Sequence, residues 1–113
     1  MEILLEKLKE YLHMDTEISF EEFSDYYRKL INELNQTFDR LDRDARIKAL
    51  YICTIVQSNA ESRIKESKAT AKVFRKMSAK CAFWKDAIKY NLRKDGMSQQ
   101  EIEQAFEEIN DSI

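Results

Sequence analysis

Across 113 residues the chain carries no proline and a single glycine, Gly96. Those two residues build most tight turns and sheet corners, because proline presets φ and glycine alone enters positive φ freely. An all-β sandwich or barrel is therefore nearly excluded. The same scarcity removes G-x-G-x-x-G and P-loop phosphate cradles, which need several glycines. What remains is helix. Nearly every segment repeats its apolar residues at a 3.6-residue period, and none alternates cleanly. With 43% hydrophobic and 35% charged residues the chain is too apolar to be disordered. The reading is all-α: one domain, residues 1–113, folded as an antiparallel bundle of four to five helices.

The first helix spans 2–12, with Leu4, Leu5, Leu8, Tyr11 and Leu12 on one face. A capping box, Ser19-Phe20-Glu21-Glu22, opens the second over 20–42, whose stripe is Phe23, Tyr27, Leu30, Leu34, Phe38 and Leu41. A third helix is expected over 45–66 behind Asp44 as N-cap, with Ile47, Leu50, Tyr51, Thr54 and Ile55 inward. The fourth, 68–94, carries Phe74, Met77, Cys81, Trp84, Ile88 and Leu92. Nothing in the composition forbids one helix across both. At 100° per residue, however, the two stripes point about 120° apart, which favours a break between Gln57 and Ser67. The second and fourth helices are the long elements of the bundle.

The end of the fourth helix is marked locally. Arg93 and Lys94 suit its last turn, Gly96 its left-handed cap, and Ser98-Gln99-Gln100-Glu101 is a second capping box opening a helix over 99–111. Ile102, Ala105, Phe106 and Ile109 form its inner stripe. The run Leu92 to Ile102 is similar to the helix–glycine–cap–helix junction in the repeats of RecX-type recombination regulators. The rest of the chain does not repeat that unit, so the resemblance implies a helical hairpin and carries over no function.

The apolar run at Ile3-Leu4-Leu5 is too short for a signal peptide, and the longest uncharged stretch, Ala49 to Ala60, is too short to span a bilayer. A cytoplasmic location is the default, with Cys53 and Cys81 reduced and buried as small hydrophobes.

A net charge of −2 conceals segregation: residues 1–44 sum to −6, residues 45–94 to +10 and residues 95–113 to −6. Lys65, Lys68, Lys72, Lys76 and Lys80 recur on one helical face, opposite the Phe74–Trp84–Leu92 stripe. A charge run in that position is ordinarily a solvated face, here with acidic helices packed alongside to neutralise it. Phe83 and Tyr90 project onto the same side, and Ala79 to Leu92 is apolar nearly all round. That is the pattern of a helix covered by several neighbours or by another subunit.

Catalytic chemistry has little to build on. His13 is the one histidine and belongs at the end of the first helix, as part of its C-cap. Glu10-x-x-His13 occurs once, where a di-metal bundle needs that pair twice. Neither an enzyme nor a cofactor or metal site is expected. The function expected instead is protein–protein interaction: a small cytoplasmic regulator or adaptor that contacts another protein or a second copy through Phe83, Trp84 and Tyr90. The alternative is a nucleic-acid-binding regulator that uses the basic face of residues 63–94.

Overall fold

Five α-helices and one 3-10 turn make up the regular structure, which the computed structural model describes over Met1–Ile113. They are α1 (Glu2–Leu12), α2 (Phe20–Thr37), a 3-10 turn (Phe38–Arg40), α3 (Arg43–Ile64), α4 (Lys68–Lys94) and α5 (Gln99–Asp111). The molecule measures 43 × 26 × 24 Å. Its long axis is about the length of α4, since 27 residues at 1.5 Å each give roughly 40 Å.

The central element is α3, not α4. Ala49, Leu50, Tyr51, Ile52 and Cys53 are consecutive and all at most 2% exposed, so this stretch is covered on every side. The uncharged run of the sequence is thus the signature of the central helix. α3 packs along α4 and also touches α1 and α5. α2 closes the remaining side through aromatic contacts. Phe20 and Phe23 meet Phe74 edge-on at 5.5 and 5.8 Å, and Phe38 lies 5.2 Å from Trp84.

The break between α3 and α4 falls at Lys65–Ser67, inside the expected window. The Glu66 amide donates to the Arg63 carbonyl and the Ser67 hydroxyl accepts from the Ala69 amide, which turns the chain in three residues. α4 then runs back antiparallel to α3, and its far end is tied there. Arg46 pairs with the Asp95 carboxylate, and Arg43 donates to the Asp95 carbonyl at 3.1 Å.

Two boundaries and one cap differ from expectation for local reasons. α2 ends at Thr37, whose hydroxyl bonds the Glu33 carbonyl at 2.7 Å, and the chain tightens into the 3-10 turn. Phe38 and Leu41 still pack against the core, so the stripe continues where the α-helix does not. The N-cap of α3 is Asp42, which accepts from the Ala45 amide at 2.8 Å, rather than Asp44. Asp44 instead joins Glu2 around Lys48. At Ser19 only half the box forms: the hydroxyl accepts from the Glu22 amide, but the Glu22 carboxylate does not reach back to the Ser19 amide.

The α4–α5 junction is as expected. Gly96 has φ +100°, the Met97 amide reaches the Leu92 carbonyl and the Gly96 amide the Arg93 carbonyl, a Schellman closure. Ser98 and Glu101 exchange both capping bonds, at 2.9 and 3.1 Å. A Cβ on Gly96 would meet nothing within 4 Å, so its role is conformational alone. Gly96→Ala is expected to lose about 1–2 kcal/mol from backbone strain. Gly96→Asn should lose less, because asparagine tolerates the left-handed region. Urea denaturation of the two variants checks the order; equal stability of Ala and wild type would show that the cap does not hold the turn.

Candidate functional site

α4 is amphipathic in an unusual sense, with apolar groups on both sides. Phe74, Met77, Cys81, Trp84, Ile88 and Leu92 are buried against α2 and α3. On the opposite side, Phe83 is 58% and Tyr90 67% exposed. These rings are seven residues apart, two turns along one line of the helix, about 10 Å in rise. Ala79 and Ala87 lie between and beside them, and Lys72, Lys76, Lys80 and Lys94 border the line. The Lys80 ammonium lies 5.4 Å from the Phe83 ring, a cation–π contact at an exposed site.

Two of the expected members do not belong to this face. Trp84 is buried, between Phe38 and Phe83, with its indole Nε1 unpartnered. It is a core residue that touches the outward face only through the edge of Phe83. Lys65 lies in the turn between α3 and α4, because the chain leaves helical register there. Lys68, Lys72, Lys76 and Lys80 do follow one another up α4, and all are exposed.

Acidic helices do not pair with this face. Of the cations from Arg63 to Lys94, Arg63 alone takes part in an ion pair within 4.0 Å. Most carboxylates that bridge between elements go to α3: Glu2 to Lys48, Asp95 to Arg46 and Glu17 to Arg63, while Asp44 joins Lys48 from within α3 and Glu33 of α2 meets the Met1 amino group. On α5, Glu103, Glu107, Glu108 and Asp111 are exposed and equally free of ion pairs. Lys85 and Lys89 of α4 share the lining of one shallow hollow with Glu103 and Glu107 of α5. The expected neutralisation by direct pairing is therefore not what the packing produces.

The other chemistry-bearing side chains are dispersed. His13 forms the C-cap of α1, its amide donating to the Lys9 and Glu10 carbonyls, and its side chain is exposed. No three His, Cys, Asp or Glu side chains gather into a group that could hold a metal ion. No helix is long and apolar enough to cross a membrane.

Cys53 and Cys81 are free thiols with no exposed surface. Burial pushes the Cys81 thiol up to about 12 and moves Cys53 in the same direction. Burial likewise raises the Tyr11 and Tyr27 hydroxyls to about 12, with Glu22 adding to the effect at Tyr11. Each group keeps its proton in the native state to a higher pH than in the unfolded chain. The unfolded state therefore releases protons first, and the stability these groups contribute is complete below about pH 9 and falls as pH rises toward 12. Chemical denaturation repeated from neutral to alkaline pH should show that decline. A thiol reagent should label neither cysteine at neutral pH until denaturant is added; rapid labelling of the native protein would place a thiol at the surface.

In comparison with known proteins, no family model matches the chain, no curated protein matches it and no solved structure matches it.

Proposed function

We propose that this protein is a non-catalytic interaction module, a small cytoplasmic regulator or adaptor, with the outward face of α4 as its docking surface. The observation that carries this reading is the exposed pair Phe83 and Tyr90 on a helix already anchored by a full buried stripe. An aromatic ring held in water by a rigid element gains most from a partner, because its apolar area is desolvated with little ordering cost. The bordering lysines select the partner's charge. They fit an acidic surface on another protein, or the unpaired carboxylates of α5 on a second copy.

A second reading rests on a separate observation: Lys68, Lys72, Lys76 and Lys80 have no internal counter-ions. Phosphates would be natural partners for such a row, with Phe83 and Tyr90 as stacking platforms for bases. Against it stands α5, whose carboxylates would repel a polyanion that approached from that side.

Binding to fluorescent single- and double-stranded oligonucleotides at about 50 and 200 mM salt separates the readings, since several phosphate contacts cost orders of magnitude over that range. Interaction with protein predicts no tight oligonucleotide binding. It also predicts association, by sedimentation or with an acidic partner, that Phe83→Ala with Tyr90→Ala weakens by at least about thirtyfold, the equivalent of ~2 kcal/mol. Both residues are exposed, so helicity and stability should hold within about 0.5 kcal/mol. A double variant that unfolds would return both rings to the core and remove the face. Salt-sensitive oligonucleotide binding that Lys72→Glu with Lys76→Glu abolishes would replace the first reading by the second.

A further inference from the structure

Away from α4's outward face, Arg63 is a buried cation with few partners. It stands in the last turn of α3 and is 5% exposed. A guanidinium offers five N–H donors in a fixed plane. Here Nη2 donates to the Ile18 carbonyl at 2.8 Å, while Nε has no hydrogen-bond partner. The nearest counter-charge is Glu17 Oε1, 3.8 Å from Nε and beyond hydrogen-bonding distance, on a side chain 52% exposed. Phe23 and Phe74 lie 4.5 and 5.9 Å from the guanidinium carbon. Ring faces favour the cation, but they do not satisfy N–H groups directed elsewhere in its plane.

The same guanidinium lines a cavity of about 90 Å³ beneath the α1–α2 connection. Leu8, Leu12, Phe23, Ile55 and Val56 supply apolar wall, and Thr16 to Ile18 border it from the connection. A cavity with an under-bonded buried cation at one point and a mainly apolar wall, in which Thr16, Glu17, Asn59, Tyr11 and Tyr26 are the other polar side chains, is complementary to a small amphiphilic anion.

We propose that this cavity is a binding site for a short-chain aliphatic carboxylate. The ligand's carboxylate bonds the Arg63 guanidinium and its tail lies against the α1 and α3 side chains. Carboxylate and guanidinium match in planarity and spacing, which gives paired, charge-assisted hydrogen bonds that a spherical anion does not form. The volume sets the tail. About 90 Å³ is room for a few methylenes and too little for a fatty chain or a nucleotide. Glu17 is then the internal competitor, a carboxylate already near Arg63 but too far to bond it, and the ligand displaces it toward solvent.

The test is a titration of the full-length protein with formate, acetate, propionate, butyrate and octanoate at constant ionic strength. It is followed by calorimetry and by the NMR signal of the Arg63 Nε–H group. Affinity should rise about fourfold per methylene while the tail is being buried, then fall once the cavity is full, so that octanoate binds worse than butyrate. Glu17→Gln should tighten binding severalfold, and as an exposed substitution it leaves the fold intact. Arg63→Met should abolish binding; if that variant does not fold, Arg63→Lys keeps the charge without the fork and should weaken it at least tenfold. The proposal is overturned if no saturable Nε–H shift appears with any of these acids in the wild type or in Glu17→Gln. It is equally overturned if chloride or phosphate shifts that signal as strongly as butyrate, or if Glu17→Gln leaves affinity unchanged.

Discussion

The structure depends on the desolvation of α3. Five consecutive residues, Ala49 to Cys53, lie almost wholly out of water, and a helix can satisfy its own backbone there only while its neighbours keep water from every side. That demand places α4 along one flank, α1 and α5 on others, and draws in the aromatic residues of α2. Ala49 and Ala60, both at 0% exposure, allow close approach of neighbouring helices near the two ends of α3. Tyr51 shows how a polar atom survives there: its ring meets Phe106 at 5.1 Å while its hydroxyl donates to the Asn110 side chain at 3.0 Å.

The polar ends of α3 are held by charge. Arg43 and Arg46 grip Asp95 at one end, Lys48 gathers Glu2 and Asp44 one turn further on, and Arg63 secures the α1–α2 connection at the other. Carboxylates used there are not available to α4. This division explains how a chain of net charge −2 presents a basic helix and an acidic helix that stay unpaired. At physiological salt, exposed charges are screened beyond ~8 Å, so proximity in the fold does not cancel them at the surface. The unpaired basic face of α4 is thus a by-product of how the core is pinned.

Legibility followed the range of the interaction concerned. The Gly96 and Ser98 motifs close through bonds between residues a few positions apart, so the α4–α5 turn and the limits of α4 were readable in advance. The phase difference between stripes located the α3–α4 break because helical phase is a local property. Boundaries slipped where two local solutions compete, as at Asp42 against Asp44 or at Thr37, whose hydroxyl bonds back to Glu33. Arg63 was unreadable. In a polar segment it resembles any solvated arginine, and its burial comes from Phe23 and Phe74, on two other helices.

The sequence by itself determined that the chain is helical, that its helices number four to five and where most of their apolar stripes run. Periodicity, capping and the near absence of turn-forming residues act within single segments. Only the tertiary structure decided which helix is central, that Trp84 is covered while Phe83 and Tyr90 are left in water, and that the lysines of α4 have no internal counter-ions. Those outcomes depend on which surfaces meet. An apolar residue adjoining a stripe is buried or exposed according to the neighbour it receives, and a carboxylate pairs with whichever cation the packing brings within reach.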